Sequence, residues 1–322
     1  MLTKQLTMLK LSAIITLNML VSVVCLAQTS AIITPIQWPE KITPEMLLGK
    51  ALFFDTRISK NGSLSCASCH LFEHGGSDTL SHSLRFDNTY TTFNTPSIFN
   101  VINGYKVGWI GRLYSTQSHL DDFFTSPVEM GNNWQEIIQV IKNDSEYSRM
   151  FSQSYSQGVT KETISAAILA YEEALTTPSD FDKYLRGDDS AISEQAKQGF
   201  EVFKRFGCAS CHQGQNLGGN VLQKIGAILP YNAEILVPDS VELGRYLLTR
   251  RALDIQVFRV PSLRNVSLTA PYFHDGSVST LKSAIRLMVK HQLGRSITGR
   301  EIGLMIAFLK TLNGTPHPEL MP

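Results

Sequence analysis

The sequence predicts a mainly α-helical protein made of two domains with long loops. Six segments place apolar residues at helical spacing, strand-like alternation is scarce, and one cysteine-containing pentapeptide occurs twice, about one domain length apart. Thr280 and Thr298 are residue types that commonly begin helices. The predicted helices are Glu45–Phe54, Trp134–Lys142, Thr163–Leu175, Glu194–Phe206, Thr280–Val289 and Thr298–Leu312.

The N-terminal segment has the features of an export signal. Lys4 and Lys10 precede an apolar run, Leu11 to Leu26, and Cys25-Leu26-Ala27 resembles a small-residue cleavage site. The run is too short for a convincing membrane span. We therefore expect residues 1–27 to be a cleaved signal peptide and the mature chain to reside in the periplasm. A retained anchor, or a lipid on Cys25, is the alternative.

The repeated pentapeptide is Cys-Ala-Ser-Cys-His, and its two copies use four of the five cysteines. In Cys-x-x-Cys-His motifs the two thiols bind the vinyl groups of one haem, and the histidine ligates its iron. Zinc sites and redox disulfides also use paired cysteines, but neither requires a histidine after the second cysteine in both copies. We therefore predict two covalently bound c-type haems, held by Cys66, Cys69 and His70 and by Cys208, Cys211 and His212.

The mature chain is long enough for two domains, each able to bury a haem. A composition change at Thr176-Thr177-Pro178-Ser179 places the boundary near residue 178, which gives domains 28–178 and 179–322. Irregular stretches at 75–103 and 214–238 are long for loops, and a bulky cofactor would give them something to pack against. The predicted fold is therefore two cytochrome c-type haem domains with long loops.

The charge pattern argues against a nucleic-acid partner. The formal net charge is +1 and charged residues make up 18% of the chain, so no extended basic surface is expected. One local bias is a group of arginines that are either solvated surface residues or partners of the haem propionates. These are Arg245, Arg250, Arg251, Arg259 and Arg264.

Several blocks of residues occur in an order typical of one protein family. They are residues 48–55, 111–112, 127–131, 207–214, 260–266 and 269–276, with Met288 followed by residues 292–294. With these blocks the chain resembles the bacterial dihaem cytochrome c peroxidases and the related enzymes that mature the quinone cofactor of methylamine dehydrogenase. The resemblance covers nearly the whole mature chain. It implies a peroxidatic N-terminal haem and an electron-transferring C-terminal haem.

Met288 is the expected second axial ligand of the His212 haem. It falls on an apolar helix face with Ala284 and Ile285, and spacing alone favours a core methionine there. The resemblance implies that its sulfur ligates iron, whereas the maturation enzymes use tyrosine. A histidine–methionine pair raises the reduction potential and closes the iron to other ligands. This haem is therefore expected to accept electrons.

The first haem needs an open distal face if peroxide is to bind. His74 and His82 are candidate distal ligands, or else solvated loop residues. Where many members of the family carry a capping histidine, an ungapped count places Phe86. A small gap would bring His82 to that position. We expect an iron that is five-coordinate or water-bound.

Glu129 is the expected acid–base group for peroxide cleavage. A glutamate ahead of a helix is commonly no more than a charge at the helix N-terminus. The resemblance instead implies that Glu129 moves a proton between the peroxide oxygens, because that cleavage needs a positioned base. His119 stands where the family usually carries glutamine, and it would add a group that titrates near neutral pH.

Two further sites are implied by the resemblance alone. Trp109 aligns with an aromatic residue between the haems, although a lone tryptophan is usually a core residue. Asn94, Thr269 and Pro271 match positions that bind calcium in the family, through oxygen ligands suited to a hard cation.

The predicted function is a periplasmic dihaem peroxidase that reduces hydrogen peroxide to water. Its electrons would come from a small redox protein, either a cytochrome c or a cupredoxin, and a homodimer is left open. One alternative is a maturation-type oxidase that acts on a protein side chain, which Met288 opposes. The other is a dihaem electron carrier without peroxidase activity, which retention of Glu129 opposes.

Overall fold

The computed structural model describes residues 32–113, 116–127, 129–231 and 241–322, without the side chains of residues 113 and 116–119. The predicted signal peptide, including Cys25, lies outside the described residues. The described part is mainly helical, with two short antiparallel strand pairs, which confirms the predicted fold class. None of its helices is both long and apolar enough to cross a membrane.

The regular elements alternate with long irregular segments. The helices are α1 Pro44–Phe54, α2 Thr116–Thr125, α3 Trp134–Lys142, α4 Ser145–Ser154, α5 Lys161–Ala174, α6 Asp180–Leu185, α7 Glu194–Phe206, α8 Tyr246–Thr249, α9 Leu281–Leu287 and α10 Gly299–Lys310. The strands are β1 Lys106–Val107 paired with β2 Arg112–Leu113, and β3 Leu222–Lys224 paired with β4 Val257–Arg259.

Each half of the molecule is built on one close helix pair. In the first half α1 packs against α5, and a Cβ on Gly49 would lie 1.9 Å from the carbonyl oxygen of Ala167. In the second half α7 packs against α10, and a Cβ on Gly199 would lie 2.0 Å from the carbonyl oxygen of Leu304. Only glycine allows two helix backbones to approach this closely. α1 and α7 each precede a haem-motif turn.

Two apolar cores lie around these helix pairs. The first collects buried side chains between Leu48 and Leu175 and adds Leu320 from the C-terminus. The second collects side chains between Phe181 and Leu312 and adds Ile33 from the N-terminal segment. Each end of the described chain therefore packs into the core of the opposite half. The predicted domain division at residue 178 stays a prediction.

Candidate active site

One continuous cavity of about 1270 Å³ lies between the two halves. It is larger than a pocket for one drug-sized ligand, which is roughly 300–1,000 Å³. Both histidines and all four cysteines of the predicted haem motifs line it, together with most of the other predicted site residues. The predicted residues in the lining are Cys66, Cys69, His70, Asn94, Trp109, Glu129, Cys208, Cys211, His212, Thr269, Pro271 and Met288.

The two pentapeptides adopt the same local structure. Each begins with a single 3₁₀ turn, Cys66–Ser68 or Cys208–Ser210. The turn brings the histidine backbone N–H to the carbonyl oxygen of the first cysteine, at 3.1 Å for His70 and 2.9 Å for His212. The four thiols are not joined in disulfides. Each turn therefore presents two cysteines and one histidine to the cavity as a unit.

Backbone carbonyls orient both histidine rings. His70 Nδ1 lies 2.9 Å from the carbonyl oxygen of Gly76, and His212 Nδ1 lies 3.1 Å from that of Leu217. When Nδ1 donates to a carbonyl, Nε2 is the nitrogen without a proton, which is the form that ligates iron. Burial also lowers the pKa of His212 and so favours the neutral ring. The cavity, the thiols and these rings fit two c-type haems.

Met288 begins a π-helical turn, Met288–Gln292, that continues α9. The sequence predicted an uninterrupted helix to Val289, but the hydrogen-bond pattern changes after Leu287. The side chain of Gln292 anchors this turn by accepting from Gly226 N–H at 3.1 Å and donating to the Lys224 carbonyl at 3.1 Å. π-Helical turns of this kind are frequent at functional sites.

Trp109 forms part of the cavity wall beside Met288. Its indole N–H donates to the Asn94 carbonyl oxygen at 2.8 Å, and its ring meets His274 edge-on, with centroids 6.4 Å apart. Trp109 and Met288 pack against the same small apolar cluster, which contains Phe258. The ring is therefore fixed in a wall that Asn94, Thr269 and Pro271 also line.

Glu129 lies in the cavity wall near the first haem motif. The carboxyl is partly buried, and burial raises the pKa of Glu129 above its ordinary value, whereas the positive charges of Arg85 and Arg112 oppose this shift. A carboxyl whose pKa moves toward neutrality is better suited to accept and return a proton.

The remaining histidines are placed differently. Within the described residues, neither His74 nor His82 lines the cavity, and His82 Nδ1 is buried without a hydrogen-bond partner. Phe86, which stands where the resemblance implies a capping histidine, packs its ring on Gly131; a Cβ there would lie 2.4 Å from ring carbons. His119 belongs to α2, but its side chain lies outside the described part of the chain.

The arginine group divides into different roles. Arg264 forms a fully buried ion pair with Asp182 at 2.8 Å, and Arg245 donates to the carbonyl oxygens of Ile110 and Gly111. Arg259 lines the cavity and donates from Nε to a backbone carbonyl, while burial lowers its pKa to about 10. A partly buried cation in the cavity wall is suited to a haem propionate.

Sequence reasoning missed Arg85 and His274. Both line the cavity, and His274 is buried and stacks on Phe258 with centroids 4.1 Å apart. His274 lies in the matched block 269–276, which was a signal that could have been used. Arg85 lies in an irregular loop where no spacing rule applies.

Comparisons with known proteins agree with this geometry. A family model described as di-haem cytochrome c peroxidase matches residues 43–190. The chain is 36% identical over 294 residues to cytochrome c551 peroxidase of Nitrosomonas europaea, covering 89% of this chain and 86% of that protein. It is 37% identical over 288 residues to cytochrome c peroxidase Ccp of Escherichia coli K12, covering 88% of this chain. The matched part is 61% of the length of that relative.

A solved structure has the same overall fold. The crystal structure of a MauG-like protein associated with microbial copper homeostasis superposes with a TM-score of 0.77 at 27% sequence identity. The alignment covers 90% of this chain and 97% of the other. These matches confirm the resemblance found in the sequence blocks. The chain therefore belongs to the di-haem cytochrome c peroxidase family.

Proposed function

We propose that this protein is a c-type dihaem peroxidase that reduces hydrogen peroxide to water with electrons from a small redox protein. The observation that carries the proposal is that one cavity is lined by both haem motifs. The same lining contains a thioether, Met288, suited to ligating iron, and a carboxyl, Glu129, suited to proton transfer. The names of the relatives at 36% and 37% identity support the same activity. The MauG-like structure, at 27% identity, is the more distant match.

When bound, the two haems would store electrons and provide an iron site for peroxide. Cys66, Cys69 and His70 would hold one of them, and Cys208, Cys211 and His212 the other. The Met288 sulfur would complete the coordination of the second and so reserve it for electron transfer. Trp109, whose indole N–H donates to the Asn94 carbonyl in the shared wall, would shorten the electron's path between the haems.

Glu129 would carry out the proton transfer. It would take a proton from one peroxide oxygen and return it to the oxygen that leaves as water, while the electrons come from the donor protein. Its raised pKa favours both halves of this exchange. His119 could share this proton transfer, as its place in the sequence suggested.

The location, the electron donor, the oligomeric state and a calcium site are proposed as well. We propose a periplasmic location after cleavage of residues 1–27, and a cytochrome c or cupredoxin as donor, with a homodimer as a further proposal. A calcium ion at Asn94, Thr269 and Pro271 is proposed because these residues line the cavity together beside Trp109.

Glu129→Gln tests the proposed function. Because the amide cannot move the proton, peroxide turnover should fall by roughly 10²–10⁴-fold, a usual cost of losing a general acid–base group. Both haems should stay attached, as their absorption spectra would show. In the wild type, turnover should also fall as the pH drops through the raised pKa of Glu129, and this decline should be absent in the variant.

The matched control is Glu136→Gln, because Glu136 is exposed in the first turn of α3 and does not line the cavity. It should turn over peroxide at the wild-type rate. If Glu129→Gln also kept full turnover, Glu129 would be removed from the mechanism.

A further inference from the structure

We propose that Arg85 is a second catalytic residue on the substrate side of the first haem, where its guanidinium stabilises the negative charge that develops on peroxide beside Glu129. This inference rests on the proposed peroxidase function. It adds a residue that the sequence blocks and the family resemblance do not include.

The backbone holds Arg85 at the edge of the cavity. Its N–H donates to the Thr89 carbonyl at 2.8 Å, and its own carbonyl accepts from Asn88 N–H at 3.1 Å. Asn88 has a left-handed φ of 64°, which closes the chain into a tight turn. Leu84 and Tyr90 pair across the same turn. These contacts fix the backbone from which the Arg85 side chain extends.

The guanidinium of Arg85 has unused hydrogen-bonding capacity in the cavity wall. Its side chain lines the cavity together with Cys69, His70 and Glu129. Its Nε is buried and has no hydrogen-bond partner among the described residues, while its other contacts, to Thr89 and Thr92, are long at 3.5 and 3.4 Å. Nε is therefore enclosed by protein, whereas the two terminal nitrogens, with one long contact each, keep N–H groups that can donate to an anion in the cavity.

Arg85 and Glu129 act on each other electrostatically. The Arg85 charge is the larger of two that lower the pKa of Glu129 against the effect of burial. Both residues also line the same cavity, so each can face a small molecule bound there. One is a fixed cation and the other is a carboxyl that exchanges a proton.

The loop places a cation next to the position where the resemblance implies a histidine. Phe86, at the implied histidine position, turns its ring onto Gly131 and does not line the cavity, whereas the neighbouring Arg85 does, as does Leu84. Arg85 offers a charged hydrogen-bond donor that does not need to leave before substrate arrives.

The reduction of hydrogen peroxide to two water molecules requires no proton from Arg85, which keeps its positive charge throughout. Glu129 takes one proton from hydrogen peroxide, the oxygen–oxygen bond breaks as two electrons arrive from the donor protein, and Glu129 returns its proton to the departing oxygen. Two more protons from solvent complete two water molecules. Arg85 neither gives nor takes a proton; its N–H groups stabilise the charge on the oxygens while the bond breaks.

Fluoride and imidazole binding to the holoprotein separate this role from a structural one. Fluoride is an anion and imidazole, above its pKa, is neutral, and both bind an accessible ferric iron with changes in absorption. Arg85→Gln should weaken fluoride binding about tenfold or more, because a hydrogen bond to a charged group is lost. It should leave imidazole binding within about twofold and lower kcat/KM for peroxide by about 10²-fold. Arg85→Lys should restore part of the fluoride affinity.

The control is Arg149→Gln, an exposed arginine on α4 that pairs with Glu146. It should change neither fluoride binding nor turnover. The titrations use both the oxidised and the half-reduced protein, so that the form that binds ligands is included. Equal loss of fluoride and imidazole binding in Arg85→Gln, or no loss of either, would overturn the role of Arg85. A wild type that neither binds these ligands nor turns over peroxide in any form would instead overturn the peroxidase proposal.

Discussion

At the scale of single residues, Asp182, which is paired with Arg264, connects three separate segments of the chain. Both side chains are fully buried, and Asp182 accepts from both guanidinium NH₂ nitrogens of Arg264 at 2.8 Å. Asp182 also accepts from the backbone N–H of Ile36 and of Ser179. It therefore ties the N-terminal segment, the start of α6 and the matched block 260–266 together. The two partners are 82 residues apart, so no local sequence pattern could reveal the pair.

Asp182→Asn should destabilise the protein strongly. The amide leaves the Arg264 cation buried without a counter-charge, which costs about 3–5 kcal/mol of the free energy of unfolding. Urea denaturation at neutral pH measures this cost. Asp180→Asn, in the first turn of the same helix but exposed, should leave the free energy of unfolding nearly unchanged. Equal stability of both variants would contradict the assigned role of Asp182.

The same pair sets a pH dependence of stability. Burial alone would raise the pKa of Asp182, but hydrogen bonds from Arg264 and its charge outweigh burial and leave the pKa lowered. A carboxyl with a lowered folded-state pKa stabilises the protein above its unfolded-state pKa, about 3.9. That stabilisation is lost as the pH falls through the folded-state value. The difference between wild type and Asp182→Asn should therefore shrink on acidification below about pH 4.

At the scale of elements, periodicity predicted the helices that carry a continuous apolar face. Trp134–Lys142 and Glu194–Phe206 have the predicted bounds, and Pro44–Phe54 differs by one residue. α4 was missed because Ser145–Ser154 is mostly polar and buries only Tyr147 and Phe151. The π-helical turn at Met288 was missed because its anchor, Gln292, bonds to a strand region more than 60 residues away. A weak local pattern explains the first case and a tertiary contact the second.

Gly49 and Gly199 should be necessary for the two helix pairs. Gly199→Ala places a Cβ about 2.0 Å from the Leu304 carbonyl oxygen, so α7 and α10 must separate. We expect a loss of about 1–3 kcal/mol, the usual cost of overpacking, for each of Gly49→Ala and Gly199→Ala. Denaturant unfolding of the holoprotein measures it.

The chain provides a matched control for this prediction. Gly303 lies on α10 with open space where its Cβ would be. Gly303→Ala should therefore stabilise the protein slightly, by about 0.5–1 kcal/mol, because alanine favours helix. If Gly199→Ala were as stable as Gly303→Ala, Gly199 would not be required for the close approach of α7 and α10.

At the scale of the whole molecule, two halves of similar plan meet around one cavity and differ in what else lines it. Each half has a glycine-mediated helix pair and a pentapeptide turn with a carbonyl-oriented histidine. The sequence predicted the two motifs, Glu129 and Met288 because those residues lie in motifs or blocks of fixed spacing. It could not predict the place of Arg85, which depends on a loop turn. It also could not predict that Ile33 packs into the second core and Leu320 into the first.

The two iron sites are expected to differ in their ligands, and electron paramagnetic resonance with optical spectra of the holoprotein tests this asymmetry most directly. Spectra are recorded in the oxidised and half-reduced forms, before and after peroxide is added. We predict one low-spin centre with histidine and methionine ligands, and one centre that is high-spin in at least the half-reduced form and reacts with peroxide. Two low-spin, six-coordinate centres in every oxidation state, neither reacting with peroxide, would contradict the claim and leave an electron carrier.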